Sequence, residues 1–152
     1  MKTFEEMMPV LRELCRAMEK YALVDRKAFD FGIGMDLFPA EIHMLTAVGM
    51  QDGAGVTALA DEFGITKGAV SQLVGKLVKK GLLVKEQDPE HGARVVIRTT
   101  ELGRTACECH FAFHKEHDRV FLEYLGQLDE ASYETIHKMG REMNRWMDNY
   151  LK

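Results

Sequence analysis

The chain is poor in the residues that build special frameworks. Its 152 residues include three cysteines, three prolines and one tryptophan. An odd cysteine count, together with an amino terminus that has no apolar signal segment, argues against a disulfide framework and predicts reduced thiols in the cytoplasm. No apolar run approaches the roughly 18 residues that span a membrane, so we expect no membrane-embedded segment. No Gly-rich phosphate loop follows a strand, and no nucleophile has a paired base, so we expect no enzyme.

The overall charge hides a local inversion. Net charge is −4, and 46% of the residues are hydrophobic, which is typical of one globular domain. Between Thr66 and Arg98, however, seven basic residues accompany only three acidic ones. A basic region on an acidic protein is typical of a surface that meets DNA. The competing interpretation is that these lysines merely solvate a helix face.

Hydrophobic periodicity predicts a mainly α-helical chain with one small β-hairpin. Capping residues are expected at Thr57, Thr66, Thr99 or Thr100, and Asp129, and Gly64 is expected to end a helix. The predicted helices cover about 4–31, 40–50, 58–63, 67–80, 101–125 and 130–150, and the predicted strands cover 82–86 and 94–98. Two short helices followed by a two-stranded ribbon indicate a winged helix-turn-helix.

The second helix of this motif has the composition of a DNA-reading surface. Its predicted outer face carries five polar or basic residues, Lys67, Ser71, Gln72, Lys76 and Lys79, and Thr66 caps its amino end. Gln and Ser side chains reach base edges, whereas Lys mostly contacts phosphates. Double-stranded DNA is therefore the expected partner. A protein-interaction module without DNA binding is the alternative class, and it would not need this basic region.

Several short motifs resemble the MarR family of bacterial transcription regulators. They are Pro39-Ala40-Glu41, Gly64-Ile65-Thr66, Ala69-Val70-Ser71-Gln72-Leu73, Lys80-Gly81-Leu82-Leu83 and the wing segment 88–94. The resemblance covers nearly the whole chain and implies a single unit, 1–152, with a winged-helix lobe at 38–103. It also implies that Arg94 enters the minor groove of the operator and that Asp88 orients Arg94.

The resemblance further implies a homodimer that binds a pseudo-palindromic operator. The flanking regions 1–37 and 104–152 would then be dimerisation helices. An apolar stripe on the last predicted helix agrees with this, because an isolated helix of a small protein would leave such a face in water. The stripe consists of Met139, Met143, Trp146, Met147 and Tyr150.

Two histidines on the long helix are four residues apart and therefore share a face. That spacing suits a transition metal, but by itself it is weak support, because such pairs arise by chance. The sequence also resembles the zinc-sensing branch of the MarR family, and this resemblance implies zinc as a corepressor. It implies four ligands, Asp25, His43, His110 and His114. The positions of that branch's second metal site are Phe31, Ile42 and Cys109 here, so we expect no second site of that type.

Two other kinds of effector remain open. A small aromatic or lipophilic acid could bind a crevice lined by aromatic residues, namely Tyr21, Phe29, Phe31, Phe111 and Phe113, although core packing explains these residues equally well. Oxidation of Cys107 or Cys109 is the other alternative, since sensor thiols need exposure and a depressed pKa. Cys15 lies on the apolar stripe of the first helix and is expected in the core.

Overall fold

A computed structural model describes residues 1–51, 53–88, 92 and 95–150. The elements follow the chain as α1 (Phe4–Val24), β1 (Phe29–Asp30), β2 (Asp36–Leu37), α2 (Pro39–Gly49), α3 (Val56–Phe63), α4 (Lys67–Lys79), β3 (Leu83–Gln87), β4 (Val95–Thr99), α5 (Glu101–His117), α6 (Arg119–Gly126) and α7 (Glu130–Asp148). The mainly α-helical, winged helix-turn-helix fold is confirmed.

The helix-turn-helix forms because short-range signals agree with one another. Gly64 adopts a left-handed conformation, φ +62°, and ends α3. The hydroxyl of Thr66 then accepts a hydrogen bond from the Ala69 N–H at 3.1 Å and starts α4. Both predictions are confirmed. The predicted cap at Thr57 is wrong. Helix α3 begins at Val56, before Thr57, and its N-cap is Gly55.

The wing is an antiparallel hairpin whose base belongs to the core of the lobe. Strands β3 and β4 pair from Leu83 opposite Thr99 to Gln87 opposite Val95. Helix α2 packs against α4 and β4, and α3 packs against α4. The fully buried side chains at these contacts include Leu45, Leu59, Val74, Leu77 and Ile97. One hydrophobic core therefore holds both helices of the motif and the wing.

A second hairpin occupies the segment where a helix was predicted. Helix α1 ends at Val24, and β1 pairs with β2. The Asp30 carboxylate accepts hydrogen bonds from the backbone N–H groups of Gly32, Ile33 and Gly34 at 2.8, 3.0 and 3.1 Å. Because Asp side chains that bond their own following backbone stabilise turns, the local chemistry at Asp30 overrides the helical periodicity.

The predicted long helix over 101–125 is two helices. α5 ends at His117, α6 begins at Arg119, and Asp118 between them has φ −96° and ψ 6°. Neither Gly nor Pro lies near this point, so the sequence has no breaker signal there. The predicted break at 126–128 and the cap at Asp129 are confirmed, since the Asp129 carboxylate accepts from the Ser132 N–H at 2.8 Å.

Two compact units divide the chain, Met1–Phe111 and Ala112–Lys152. Helix α5 is continuous and contributes to both. No residue of α1, α6 or α7 is buried. Each of these helices exposes large apolar side chains, among them Phe4, Val10, Tyr21, Val120, Phe121, Tyr133 and Trp146. The predicted boundaries at 38–103, 1–37 and 104–152 stay predictions.

The start of α5 is held tightly against the base of the wing. Thr100 donates its backbone N–H to the Leu82 carbonyl at 3.0 Å and its hydroxyl to the Gly81 carbonyl at 2.7 Å. Its hydroxyl oxygen also accepts from the Gly103 N–H at 3.0 Å, as a helix cap does. A Cβ on Gly103 would lie 2.1 Å from the Leu82 carbonyl oxygen. Only glycine therefore allows this approach of α5 to Leu82, the residue before β3.

Among the described residues, no helix combines the length and the apolar character that crossing a membrane requires.

Candidate nucleic-acid interface and metal centre

Helix α4 presents the predicted reading face to solvent. Val70, Val74 and Leu77 are fully buried in the lobe. The five predicted contact residues on the opposite side, Lys67, Ser71, Gln72, Lys76 and Lys79, are all exposed, as is Thr66. The helix therefore offers amide, hydroxyl and ammonium groups outward on a rigid, well-packed base, which is the requirement for reading a groove.

Two of the basic residues counted in the sequence are engaged in the lobe itself. The Lys80 ammonium lies 2.8 Å from the buried Glu41 carboxylate and 3.1 Å from the Asp36 carbonyl oxygen. Arg98 pairs with Glu86, with 3.4 Å between Nε and Oε2. The exposed cations on α4 and β3 are Lys67, Lys76, Lys79 and Lys85. The basic face is therefore centred on α4 and continues onto the wing.

Glu41 and Lys80 fall in two of the family motifs, and sequence reasoning gave them no role. Glu41 is 4% exposed, and its carboxylate also accepts the Phe38 N–H at 3.0 Å. The pair joins the start of α2 to the end of α4. A buried carboxylate needs such partners, because an unpaired buried charge is costly.

The wing tip lies outside the described residues. This applies to Pro89, Glu90, His91, Ala93 and Arg94, so the contact predicted for Arg94 stays a prediction. Asp88 is described and half-buried. Its predicted role, the orientation of Arg94, likewise stays a prediction.

Three histidines from two helices come together. His43 is half-buried on α2, His110 is 5% exposed on α5, and His114 follows one turn later on the same helix. Each offers one ring nitrogen, and the three nitrogens lie within 4.8 Å of one another. The rings of His43 and His110 are 5.5 Å apart, centroid to centroid. A group of this kind, with three imidazole nitrogens, matches the ligand preference of zinc.

Neighbouring side chains hold two of these rings. The Thr46 hydroxyl oxygen is 3.4 Å from His110 Nδ1, and the Phe31 ring meets His110 edge-on at 5.0 Å. The Asp118 carboxylate is 2.5 Å from His114 Nδ1. These contacts engage Nδ1 in both rings. Asp118 lies four residues after His114, a helical spacing from which its contact with that ring could have been predicted. Thr46 lies three residues after His43 and therefore on the same side of α2, but its contact is with His110.

Asp25 and His117 are not members of this group. Asp25 is the exposed C-cap of α1, and its proposed place as a fourth ligand stays a prediction. His117 turns to Phe113 instead: the two rings stack at 3.9 Å, and His117 Nδ1 lies 2.9 Å from the Phe113 carbonyl oxygen.

The three thiols have different surroundings. Cys107 is buried, and this burial raises the pKa of its thiol, a hydrogen bond from Thr46 lowers it, and the charge of Glu108 raises it, with a net upward shift. These properties are the opposite of what a sensor thiol needs. Cys109 is half-buried. The prediction that Cys15 lies in the core is wrong, because Cys15 is exposed on a helix without buried residues.

The aromatic residues proposed to line a ligand crevice are in diverse positions. Phe31 is buried against His110, and Phe29 lies 6.0 Å from Phe31. Tyr21 and Phe111 are exposed. Phe113 stacks on His117. Control by an aromatic ligand stays a prediction.

Comparison with known proteins agrees with this architecture. Residues 35–94 match the family model described as MarR family. The HTH-type transcriptional regulator YhjH of Bacillus subtilis, itself uncharacterised, is 26% identical over 118 residues, which cover 77% of this chain and 67% of the relative.

Three solved structures share the fold. The adhesin competence repressor of Streptococcus pyogenes superimposes with a TM-score of 0.71 at 20% identity, covering 96% of this chain and 98% of that one. FabT of Streptococcus pneumoniae, solved in complex with DNA, gives 0.67 at 16% identity, covering 97% and 99%. ZitR of Lactococcus lactis, a zinc-responsive MarR family member, gives 0.67 at 14% identity, covering 93% and 99%.

The fold and the exposed α4 therefore define a winged helix-turn-helix protein. The resemblance to the MarR family seen in the sequence is confirmed by the family model over residues 35–94. The family model over residues 35–94 and the HTH-type transcriptional regulator that is 26% identical both agree with a DNA-binding transcriptional regulator.

Proposed function

We propose that this protein is a MarR-type DNA-binding transcriptional regulator that acts in the cytoplasm as a homodimer on a pseudo-palindromic operator, and that zinc controls it as a corepressor at His43, His110 and His114. The observation that carries the metal proposal is the convergence of three ring nitrogens within 4.8 Å. ZitR of Lactococcus lactis, a zinc-responsive MarR family member, has a similar fold, and this similarity also supports control by zinc.

The exposed face of α4 supports the assignment of the DNA contacts. Gln72 and Ser71 are suited to base edges, and Lys67, Lys76 and Lys79 to phosphates. Thr66 and the wing residues Arg94 and Asp88 complete the proposed interface. In a dimer, two α4 helices would enter major grooves about one helical turn apart.

The helices outside the lobe support the dimer. α1, α6 and α7 have no buried residue, yet each exposes several large apolar side chains. Exposed apolar surface on this scale marks a protein interface. A second copy of the chain would cover these faces, and we assign α1, α6 and α7 to the dimer interface on this ground.

The donor set fits zinc. Structural and regulatory zinc takes four ligands with Zn–N bonds of about 2.0–2.1 Å, so its ligand nitrogens are about 3.3 Å apart. Nitrogens that already lie within 4.8 Å need only small side-chain rotations to reach that spacing. A bound zinc ion would supply a cross-link between α2 and α5. Asp25 remains a candidate for the fourth position.

The packing of α2 and α5 gives a route to the DNA-binding face. His43 lies on α2, and α2 packs directly against α4. His110 lies on α5, whose first turn contacts Leu82 at the base of the wing. A preferred arrangement of these two helices therefore biases the positions of both DNA-reading elements, which is a population shift.

Metal binding is tested by metal analysis and competitive zinc titration of the purified protein, with His110→Ala. We expect about one zinc per protomer, lost in His110→Ala. His117→Ala is the matched control, because it removes a histidine from the same helix that lies outside the group. Equal zinc binding by His110→Ala and the unsubstituted protein would overturn the proposed site.

DNA binding is tested with duplexes selected from a random library, with and without zinc. We expect tighter binding with zinc and a log–log salt dependence whose slope falls by about 1 in Lys76→Ala. Lys138→Ala, on exposed α7, is the control.

Gln72→Ala and Arg94→Ala should weaken specific binding and leave the dimer intact. If no salt-dependent binding is found, the protein-interaction alternative is favoured.

A further inference from the structure

Asp118 occupies the break between α5 and α6, but its side chain does not cap the new helix. Its backbone stays in register, since its N–H donates to the His114 carbonyl and its carbonyl accepts from the Leu122 N–H, both at 2.9 Å. An Asp at this position normally accepts a backbone N–H of the following turn. Here the carboxylate makes no such bond and instead meets His114 Nδ1 at 2.5 Å.

This contact determines which nitrogen of His114 carries the proton. A carboxylate oxygen can only accept, so His114 Nδ1 must carry the proton of the shared hydrogen bond. In the neutral ring, the lone pair then resides on Nε2. A histidine that binds a metal through one nitrogen commonly donates its other N–H to a carboxylate, which fixes the ring orientation and strengthens the ligand.

We propose that Asp118 is a positioning residue of the metal centre: it holds His114 with Nδ1 protonated, so that Nε2 is the metal ligand. The inference rests on the zinc site proposed above and assigns a role to a residue outside the ligand set. Asp118 itself does not contact the metal.

The contact of His110 with Thr46 is different in kind. The Thr46 hydroxyl oxygen is 3.4 Å from His110 Nδ1, and a hydroxyl can donate or accept, so this contact does not by itself fix the tautomer of His110. Because His110 is buried and Phe31 packs against its ring, packing helps to fix His110. His114 is 43% exposed in its side chain and therefore depends more on its carboxylate partner.

The experiment compares Asp118→Asn and Asp118→Ala with a matched charge control. Glu123→Gln removes the same charge from another exposed i,i+4 pair, in which Arg119 Nη1 lies 3.1 Å from Glu123 Oε1. Zinc affinity is measured by competition with a chelator, and helix content by circular dichroism. The tautomer of His114 is read from ¹⁵N chemical shifts of histidine-labelled, metal-free protein at a pH where the rings are neutral.

We expect zinc affinity to fall about 10-fold in Asp118→Asn, which keeps an acceptor oxygen, and up to about 100-fold in Asp118→Ala. Glu123→Gln should bind zinc as the unsubstituted protein does. His114 should be an Nδ1–H tautomer in the unsubstituted protein and shift towards Nε2–H in Asp118→Ala. Unchanged helix content separates this effect from loss of structure.

Two results would overturn the inference, and they are distinguishable. If His110→Ala abolishes zinc binding while Asp118→Ala retains full affinity and the same His114 tautomer, Asp118 does not position the ligand, although the metal site stands. If the unsubstituted protein does not bind zinc at all, the proposed metal control fails and the role of Asp118 fails with it.

Discussion

Substitution of Gly103 by alanine tests the joint between α5 and the wing. An ideal Cβ at this position lies 2.1 Å from the Leu82 carbonyl oxygen and 3.4 Å from Leu45 Cδ1, while real Cβ contacts essentially never fall below 3.0 Å. The obstacle is backbone rather than a flexible side chain. The same Leu82 carbonyl accepts the Thr100 N–H at 3.0 Å. If the carbonyl moves away from the new methyl group, this hydrogen bond at the start of α5 is weakened.

The expected cost combines three effects. Overpacking of this kind costs about 1–3 kcal/mol. Weakening the Thr100 hydrogen bond adds about 0.5–1.5 kcal/mol, and replacing glycine by alanine within a helix returns about 1 kcal/mol. The net expectation is a loss of about 2 kcal/mol in the free energy of unfolding. For a chain of this size, that lowers Tm by roughly 4–8 °C.

The assay is urea unfolding followed by circular dichroism, with thermal unfolding beside it, at equal protomer concentrations because association shifts apparent stability. Gly75→Ala is the matched control: Gly75 lies within α4, and its ideal Cβ meets nothing within 4 Å. This variant should be about 1 kcal/mol more stable than the parent. If Gly103→Ala is as stable as Gly75→Ala, the close approach of α5 to the wing is refuted.

Three further results are expected. Glu41→Gln should lower the free energy of unfolding by about 1–3 kcal/mol, which is less than for a fully buried ion pair because Lys80 keeps contact with water. Chemical denaturation measures this free energy. A variant as stable as the parent would contradict the stabilising role of the Glu41–Lys80 pair. In alkylation followed by peptide mass mapping, Cys107 should react more slowly in the folded protein than in urea, since burial shields its thiol and raises its pKa. Equal rates in the two states would contradict this. Hydrogen bonding from the Gly32 N–H holds the pKa of Asp30 below 3.8, so the ionised carboxylate stabilises the fold above pH 3.8, and this stabilisation is lost as the pH falls through the pKa of Asp30 in the folded protein. Asp30→Asn should therefore make the free energy of unfolding less sensitive to acid. An unchanged dependence of stability on pH would contradict this role of Asp30.

Agreement between sequence and structure was best where local chemistry decides. Thr66 and Asp129 cap their helices as predicted, and Gly64 ends α3. Besides the start of α3, the ends of two helices, α1 and α5, were predicted wrongly, for different reasons. At Asp30 the turn chemistry was readable, but the prediction extended the first helix as far as the glycines that follow Phe31. At Asp118 no residue type signalled a break.

The candidate metal ligands show more clearly what could not be predicted from the sequence alone. Spacing alone placed His110 and His114 on one face of a helix, but His43 entered only through the family resemblance. The packing of α2 against the lobe brings His43 next to His110. It also brings Thr46 to both His110 and Cys107. Asp25, which the same resemblance supplied, is outside the group of three histidines.

The sequence by itself determined the order of the helices and strands in the winged helix-turn-helix, the turn and cap between its two helices, and the polar face of α4. These depend on interactions within a few residues, namely capping bonds, glycine conformation and hydrophobic period. Only the tertiary structure decided that Lys80 pairs with Glu41 and that Cys15 is exposed. It also decided that three histidines converge. Such contacts join positions far apart in the chain, and they are set by how helices pack around a shared core, which local preferences do not specify.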